Sequence, residues 1–128
     1  MFEKDGVTII AELANAHEGE ISTAKKIVKS IGDDADAIKF QVFTADELAM
    51  PSHPKYESFS NLEMGDEEWR ELISYAVDSG LMVFVDIFGH QSLNLLREID
   101  DISAFKIHNS DISNKPLIRD VSNVGSPI

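Results

Sequence analysis

Apolar and polar positions along the chain follow two periodicities, which together predict four successive strand–helix units. Strands are predicted where short segments are almost continuously apolar, and helices where apolar residues recur every three or four positions. The predicted strands span residues 7–13, 37–43, 82–88 and 104–108, and the helical stripes lie within 21–31, 69–77, 93–99 and 117–124. Strict alternation of this kind is typical of a parallel sheet whose crossover connections are helices.

Residues with known capping preferences mark the ends of these helices. Gly32 and Gly80 follow apolar stripes, at the position where a helix commonly stops. Asp66 is predicted to be the N-cap of the second long helix, and Asn114 that of the last one. Residues 44–65 show no clear periodicity and are longer than most connections in compact domains, so they are interpreted as a loop of the kind that often forms a functional lid.

An open doubly wound sheet and a (β/α) barrel both fit this pattern. The P-loop and GxGxxG fingerprints are absent from the sequence, which weakens a nucleotide-binding doubly wound sheet. Residues 126–128 resemble the start of a fifth strand, and a complete barrel needs about 200 residues or more. We therefore expect residues 1–128 to form a single α/β domain, the first four β-α units of a (β/α)8 TIM barrel, truncated at the start of strand five. The two outer strands of such a half barrel have unpaired edges, which favour dimerisation or aggregation.

Composition narrows the class of protein. The net charge of −12 argues against binding to nucleic acid or to an anionic membrane. Cysteine is absent, which excludes disulfides and thiolate chemistry. The N-terminus is charged and no apolar run is long enough to cross a bilayer, so a soluble cytoplasmic protein is expected. An anionic substrate would need local positive charge to overcome the negative field of the whole chain.

Two predicted strands place a lysine between apolar neighbours. Because strand side chains alternate between faces, Lys39 and Gln41 face the barrel axis, as do Lys106 and His108. An ammonium group in that position is costly unless it meets an anion. Either each lysine pairs with an inward carboxylate of the protein itself, or both bind one anionic ligand such as phosphate or carboxylate. The presence of two such lysines in corresponding strands favours the ligand.

Other candidates for chemistry lie near the carboxyl ends of the strands, where the active sites of (β/α) barrels are built. Glu12 can act there as a general acid or base, and it can equally form a salt bridge with Lys39 of the adjacent strand. Asp86 lies near the end of the third strand, and Asn109 follows the fourth. His17 follows the first strand in a polar turn. The histidine spacing matches no metal motif, so no histidine metal site is expected in this chain.

An ordered set of short motifs resembles the sialic acid synthase family, which includes the N-acetylneuraminate, legionaminate and pseudaminate synthases. The motifs are IIAE at 9–12, Asn15-x-His17-x-Gly19, KFQ at 39–41, FKI at 105–107, PLI at 116–118 and GSPI at 125–128. Each motif is short, but together they span essentially the whole chain in the order and approximate spacing of the family.

The resemblance implies a (β/α)8 barrel, usually with an antifreeze-like C-terminal domain, in a domain-swapped homodimer. It implies a transferase that forms a carbon–carbon bond between phosphoenolpyruvate and an N-acetylated hexosamine such as N-acetylmannosamine, giving a sialic-acid-like nonulosonate and phosphate. A divalent metal, Mn²⁺ or Mg²⁺, activates the sugar aldehyde in this family. The family's metal-binding histidines come from later strands, so this chain alone is expected neither to hold the metal nor to catalyse the full reaction.

The resemblance implies a role for each residue that matches a functional position of the family. Glu12 matches the glutamate placed near the reacting carbons as acid or base. Lys39 and Lys106 match the lysines that hold the phosphate and carboxylate of phosphoenolpyruvate, and Gln41 is predicted to contact the same substrate. His17 falls on a family histidine whose role is structural or close to the sugar, and it is included among the predicted substrate-binding residues.

Two departures from the family pattern concern the phosphate site. The family usually has Ser-Thr-Pro-Phe at the end of strand three, where residues 85–88 read VDIF. A threonine hydroxyl thus becomes the carboxylate of Asp86, which should repel phosphate unless Lys106 neutralises it. After strand four, Asn109 stands in place of a serine and can still donate a hydrogen bond to phosphate. These changes predict a divergent branch with a different sugar or an altered phosphate site.

Two other functions are compatible with the same residues. Lys39 or Lys106 can be a Schiff-base lysine, as in class I aldolases. Alternatively, the chain can be a non-catalytic fragment that binds an anion or a sugar.

Overall fold

Four parallel strands form one sheet, in the order β1-β2-β3-β4, in the computed structural model, which describes residues 6–128. The strands are β1 (Ile10–Glu12), β2 (Ala37–Val42), β3 (Met82–Ile87) and β4 (Ile102–Ile107). Each strand pairs in parallel with its neighbour in sequence, and helices connect successive strands. The predicted succession of four β-α units is therefore confirmed.

Six α-helices are present in the described part of the chain. They are α1 (Ile21–Ile31), α2 (Ala45–Leu48), α3 (Tyr56–Leu62), α4 (Asp66–Asp78), α5 (His90–Leu96) and α6 (Lys115–Ser122). The four predicted helices correspond to α1, α4, α5 and α6. The prediction of an irregular loop over residues 44–65 was wrong in part, because α2 and α3 lie within it. α2 has only four residues, and α3 has no buried residue, so neither shows an apolar stripe in the sequence.

The caps of two helices test the predicted boundaries. The Asn114 side chain accepts a hydrogen bond from the backbone N–H of Leu117 at 3.3 Å, as expected for the N-cap of α6. The predicted N-cap of α4 is wrong by one residue, since Gly65 is the cap and Asp66 is the first helical residue. The Glu68 carboxylate accepts from the backbone N–H of Gly65 at 2.8 Å, which fixes the start of the helix.

One hydrophobic core lies between the sheet and the helices. Every second residue of β2 and β3 is buried in it, and Trp69 of α4 is among its largest members. The strand residues of this layer are Ile38, Phe40, Val42, Val83, Val85 and Ile87. Side chains at the intervening positions lie on the opposite face of the sheet, which would be the inner face of a barrel. None of the helices in residues 6–128 is long and apolar enough to span a membrane.

The outer strands are less regular than predicted. β1 spans three residues rather than the predicted segment 7–13, and Val7 and Ile9 are exposed beside it. At the other edge, the backbone N–H of Phe105 in β4 donates to the carbonyl of Pro127 at 2.8 Å. The last residues therefore lie along β4 at the place expected for a fifth strand, although they form no strand themselves.

Candidate functional site

Two lysines, two carboxylates and a glutamine lie together on the inner face of the sheet. The parallel register places Glu12 beside Lys39, and Asp86 between Gln41 and Lys106. All five lie on one face of the sheet, as the alternation of strand side chains predicts. Glu12 is the last residue of β1, Gln41, Asp86 and Lys106 each stand one residue before the end of their strands, and Lys39 is the third residue of β2, beside Glu12. This set of five residues is called the charged cluster below.

The distances within the charged cluster show which side chains form ion pairs and hydrogen bonds with each other. Lys39 Nζ lies 3.2 Å from Glu12 Oε1 and 3.4 Å from Asp86 Oδ2. Lys106 Nζ lies 2.9 Å from the same Asp86 oxygen. Gln41 Nε2 donates to Glu12 Oε1 at 3.2 Å. Both lysines are thus paired with inward carboxylates of the protein, which is the first of the two possibilities left open by the sequence.

Asp86 is the centre of the charged cluster. Its side chain is 0% exposed, whereas those of Lys106 and Glu12 are 48% and 44% exposed and that of Lys39 is 16% exposed. Its Oδ2 contacts the ammonium groups of both lysines, and the buried Oδ1 has no hydrogen-bond partner among the described residues. A buried carboxylate is tolerated only when opposite charges compensate for its lost hydration, and here two ammonium groups do so.

The protonation state of Lys39 follows from the same contacts. Burial alone would lower the pKa of Lys39, but the charge of Asp86 and the hydrogen bond and charge of Glu12 outweigh it. The net effect raises the pKa of Lys39 above its ordinary value of 10.5. Lys39 is therefore a firmly protonated ammonium group at neutral pH, which suits the binding of an anion better than nucleophilic attack.

A pocket of about 300 Å³ opens beside the charged cluster. Charged side chains from three strands line it, and its remaining lining residues are largely apolar, which is the usual composition of a small-ligand site. The lining residues are Ile10, Glu12, Lys39, Phe84, Ala104, Phe105 and Lys106. The apolar residues Ile10, Phe84 and Ala104 were missed by the sequence analysis. The available signal was their position two residues before Glu12, Asp86 and Lys106, which places them on the same sheet face.

His17, which was included among the predicted substrate-binding residues, lies in the turn after β1. His17 is 0% exposed, and its ring meets the Trp69 ring edge-on at 5.8 Å between centroids. Its Nδ1 accepts a hydrogen bond from the backbone N–H of Gly19 at 3.0 Å. Burial lowers the pKa of His17, so the ring is neutral at neutral pH. His17 holds the turn after β1 and is not among the residues that line the pocket beside the charged cluster. Its contact with a substrate stays a prediction.

Asn109 is also outside the pocket. It begins a 3-10 turn, Asn109–Asp111, after β4 and is exposed. It lines a separate groove of about 630 Å³ along the outer side of β4, together with Lys106 and four isoleucines. The structure thus brings Glu12, Lys39, Gln41, Asp86 and Lys106 together and leaves Asn109 at the neighbouring groove.

The segment interpreted as a lid is anchored at both of its short helices. The Glu47 carboxylate in α2 accepts from the backbone N–H groups of Gln91 and Ser92 at 2.9 and 3.0 Å, at the start of α5. Gly19 packs against α3 so closely that a Cβ there would lie 2.2 Å from the carbonyl oxygen of Asn61. These contacts tie the loops after β1, β2 and β3 to one another.

The profile of the NeuB family matches residues 26–128. This chain belongs to the NeuB family. It is 34% identical over 121 residues to an uncharacterised protein of Methanocaldococcus jannaschii, covering 94% of this chain and 36% of that one. It is 29% identical over 135 residues to the N,N'-diacetyllegionaminic acid synthase of Legionella pneumophila, covering 94% of this chain and 38% of the synthase. This NeuB chain spans about two fifths of the length of these relatives.

Solved structures give the same result. The N-acetylneuraminic acid synthetase of Leptospira borgpetersenii, in complex with citrate, superimposes with a TM-score of 0.86 at 28% identity. The match covers 95% of this NeuB chain and 43% of the synthetase. A DAHP synthase of Thermotoga maritima matches with a TM-score of 0.70 at 12% identity, which shows a shared fold alone. The resemblance to the sialic acid synthases and the prediction of a partial (β/α) barrel are therefore both confirmed.

Proposed function

We propose that this NeuB chain supplies the phosphoenolpyruvate side of the active site of a nonulosonic acid synthase. The proposed reaction condenses phosphoenolpyruvate with an N-acetylated hexosamine, N-acetylmannosamine or an analogue, and releases phosphate. The observation that carries the proposal is the convergence of Lys39, Lys106 and Glu12, from β2, β4 and β1, on one pocket at the inner face of the sheet. The named relatives are sialic, legionaminic and pseudaminic acid synthases, which favours this chemistry over others that a barrel can host.

Each residue at the pocket has a role in the proposed reaction. Lys39 and Lys106 bind the anionic groups of phosphoenolpyruvate, for which their positive charge is suited. Carbon C3 of the substrate attacks the sugar aldehyde, water adds to the resulting cation at C2, and phosphate leaves. Glu12 lies at the pocket with a partly exposed carboxylate and exchanges a proton with the reacting groups.

The charged cluster does not fit the divalent metal, Mn²⁺ or Mg²⁺, that belongs to the proposed reaction. Both of its carboxylates contact ammonium groups, which repel a cation. Within residues 6–128, no three or more His, Asp or Glu side chains are grouped to hold a metal ion. The metal ligands would therefore come from residues other than those of the charged cluster, and the roles given above do not depend on them. Homodimerisation and a cytoplasmic location belong to the same proposal and rest on the resemblance to the family.

Calorimetric titration with phosphoenolpyruvate tests the role of the lysines. We expect Lys39→Ala to weaken binding at least about tenfold, the equivalent of about 1.4 kcal/mol. Lys29→Ala is the matched control, because it removes one positive charge from the exposed face of α1 and should leave binding unchanged. Unchanged binding in Lys39→Ala would contradict the proposal and favour a non-catalytic fragment.

Borohydride reduction in the presence of pyruvate separates the proposal from a Schiff-base aldolase. A Schiff base requires a neutral amine, and Asp86 and Glu12 hold Lys39 in its charged form. No covalent adduct is therefore expected on mass spectrometry. A pyruvate adduct trapped on Lys39 or Lys106 would overturn the synthase proposal.

A further inference from the structure

Asp86 already provides an anion to the two lysines that are proposed to receive the substrate. It is the one carboxylate in residues 6–128 whose side chain is fully buried, and its Oδ2 contacts both Lys39 and Lys106. A ligand that enters the pocket therefore approaches two ammonium groups whose positive charge is already partly compensated by Asp86. Since Asp86 is shielded from solvent, water screens its charge less than that of an exposed carboxylate.

The charges around the pocket limit what the lysines can bind. Two ammonium groups and the carboxylates of Glu12 and Asp86 cancel, so the site is formally neutral before a ligand arrives. Without Asp86 the same site would carry one positive charge. The attraction of the lysines and the repulsion from the carboxylates are both proportional to the charge of the ligand, so in this neutral site they largely offset each other for a monoanion and a dianion alike. The cost of removing the ligand from water grows with the square of its charge and therefore disfavours the dianion.

We propose that Asp86 makes the Lys39–Lys106 pair selective for a singly charged carboxylate over a doubly charged phosphate. This inference rests on the proposed anion-binding role of the lysines and specifies which end of phosphoenolpyruvate they receive. The carboxylate lies between the lysines, and the phosphate lies away from Asp86. The apolar side chains of Ile10 and Phe84 in the same pocket suit the carbon atoms next to the carboxylate.

Titration calorimetry with two probes at constant ionic strength tests this selectivity. The probes are pyruvate, a monoanion, and inorganic phosphate at mildly alkaline pH, where it is a dianion. The wild-type chain should bind pyruvate more tightly than phosphate. Asp86→Asn keeps the size of the side chain and removes its charge, so phosphate affinity should rise at least about tenfold. The factor for phosphate should be about the square of the factor for pyruvate, because Coulomb energy is linear in ligand charge.

Asp101→Asn is the matched control. It removes the same charge at an exposed position directly before β4. It lies five residues from Lys106, about 16 Å along an extended strand and beyond the Debye length of about 8 Å at physiological salt. Both affinities should stay unchanged in this variant. Equal changes in Asp101→Asn and Asp86→Asn would show an effect of overall charge and overturn the inference.

Other outcomes separate this inference from the proposed function. If Lys39→Ala leaves pyruvate binding unchanged, the anion-binding role itself is wrong. If Lys39→Ala abolishes binding but Asp86→Asn changes pyruvate and phosphate by the same factor, or changes neither, only the selectivity is wrong. Circular dichroism checks the fold of Asp86→Asn, with Asp86→Thr as a smaller second variant. Tighter binding of phosphate than of pyruvate by the wild-type chain refutes the inference even if neither variant folds.

Discussion

Replacing Lys39 by methionine removes the ammonium group that contacts both Glu12 and Asp86, while it keeps a side chain of similar length. The change leaves Asp86 fully buried with Lys106 as its remaining counter-charge. Glu12 is affected less, because its carboxylate is 44% exposed and can recover hydration from solvent. The cost of the substitution therefore comes mainly from the contact between Lys39 and Asp86.

The distance between the two groups sets the size of the effect. Coulomb's law with an effective dielectric constant of about 20 gives about 5 kcal/mol of gross attraction across the 3.4 Å between Lys39 Nζ and Asp86 Oδ2. Desolvation of both ions offsets much of this attraction, and Lys106 still compensates Asp86 at 2.9 Å. We expect Lys39→Met to lower the free energy of unfolding by about 2 kcal/mol. Removal of one partner from an isolated buried ion pair costs more, about 3–5 kcal/mol.

Urea unfolding, followed by the fluorescence of the single tryptophan, Trp69, measures this change. With a slope of about 1–3 kcal/mol per molar urea, the midpoint should fall by about 1 M. A double-mutant cycle with Asp86→Asn should give a coupling energy of about 1–3 kcal/mol. Lys25→Met is the control, since the ion pair of Lys25 with Glu71 is more exposed and its loss should cost no more than about 1 kcal/mol. A coupling energy below about 0.5 kcal/mol would refute the central role assigned to Asp86.

Two further predictions concern the surroundings of the site. Glu47→Gln should lower the free energy of unfolding by about 1–3 kcal/mol. One carboxylate oxygen of Glu47 accepts a hydrogen bond from the backbone N–H of Ser92 and the other from that of Thr44, and the amide nitrogen of glutamine cannot accept either. An unchanged urea midpoint would contradict this prediction. Burial lowers the pKa of His17 below 6.5, so its neutral form stabilises the fold above that pH, and this contribution is lost as the pH falls through the folded-state pKa. The stability difference between wild type and His17→Asn should therefore shrink below pH 6.5, and parallel pH profiles of the two proteins would argue against a buried neutral ring.

The spacing of residues along the strands was sufficient to predict which side chains share the inner face. Lys39, Gln41 and Lys106 stand at alternate positions between apolar residues, and a strand has a period of two, so their orientation follows from the sequence. The family resemblance then indicated what such a set can bind. Glu12 could be placed in the same way, because the salt bridge to Lys39 requires only that β1 and β2 be adjacent and parallel.

Local order over residues 44–65 was harder to predict. α2 contains four residues, and its start is fixed by Glu47, which also accepts hydrogen bonds from the beginning of α5 more than forty residues away. Such a contact has no signature in a local window, because the partner is set by the packing of the chain. His17 is a similar case: the sequence shows only a polar turn, and the fold alone places the ring against Trp69.

The sequence by itself determined the order of strands and helices, the inward direction of the lysines and the membership of a synthase family. Those properties depend on periodicity and on short motifs, which are local. The tertiary structure alone decided that Lys39 and Lys106 share a single oxygen of Asp86, and that this carboxylate is fully buried. The reason is physical: burial and charge pairing depend on distances between strands far apart in sequence, and those distances exist only once the sheet has formed.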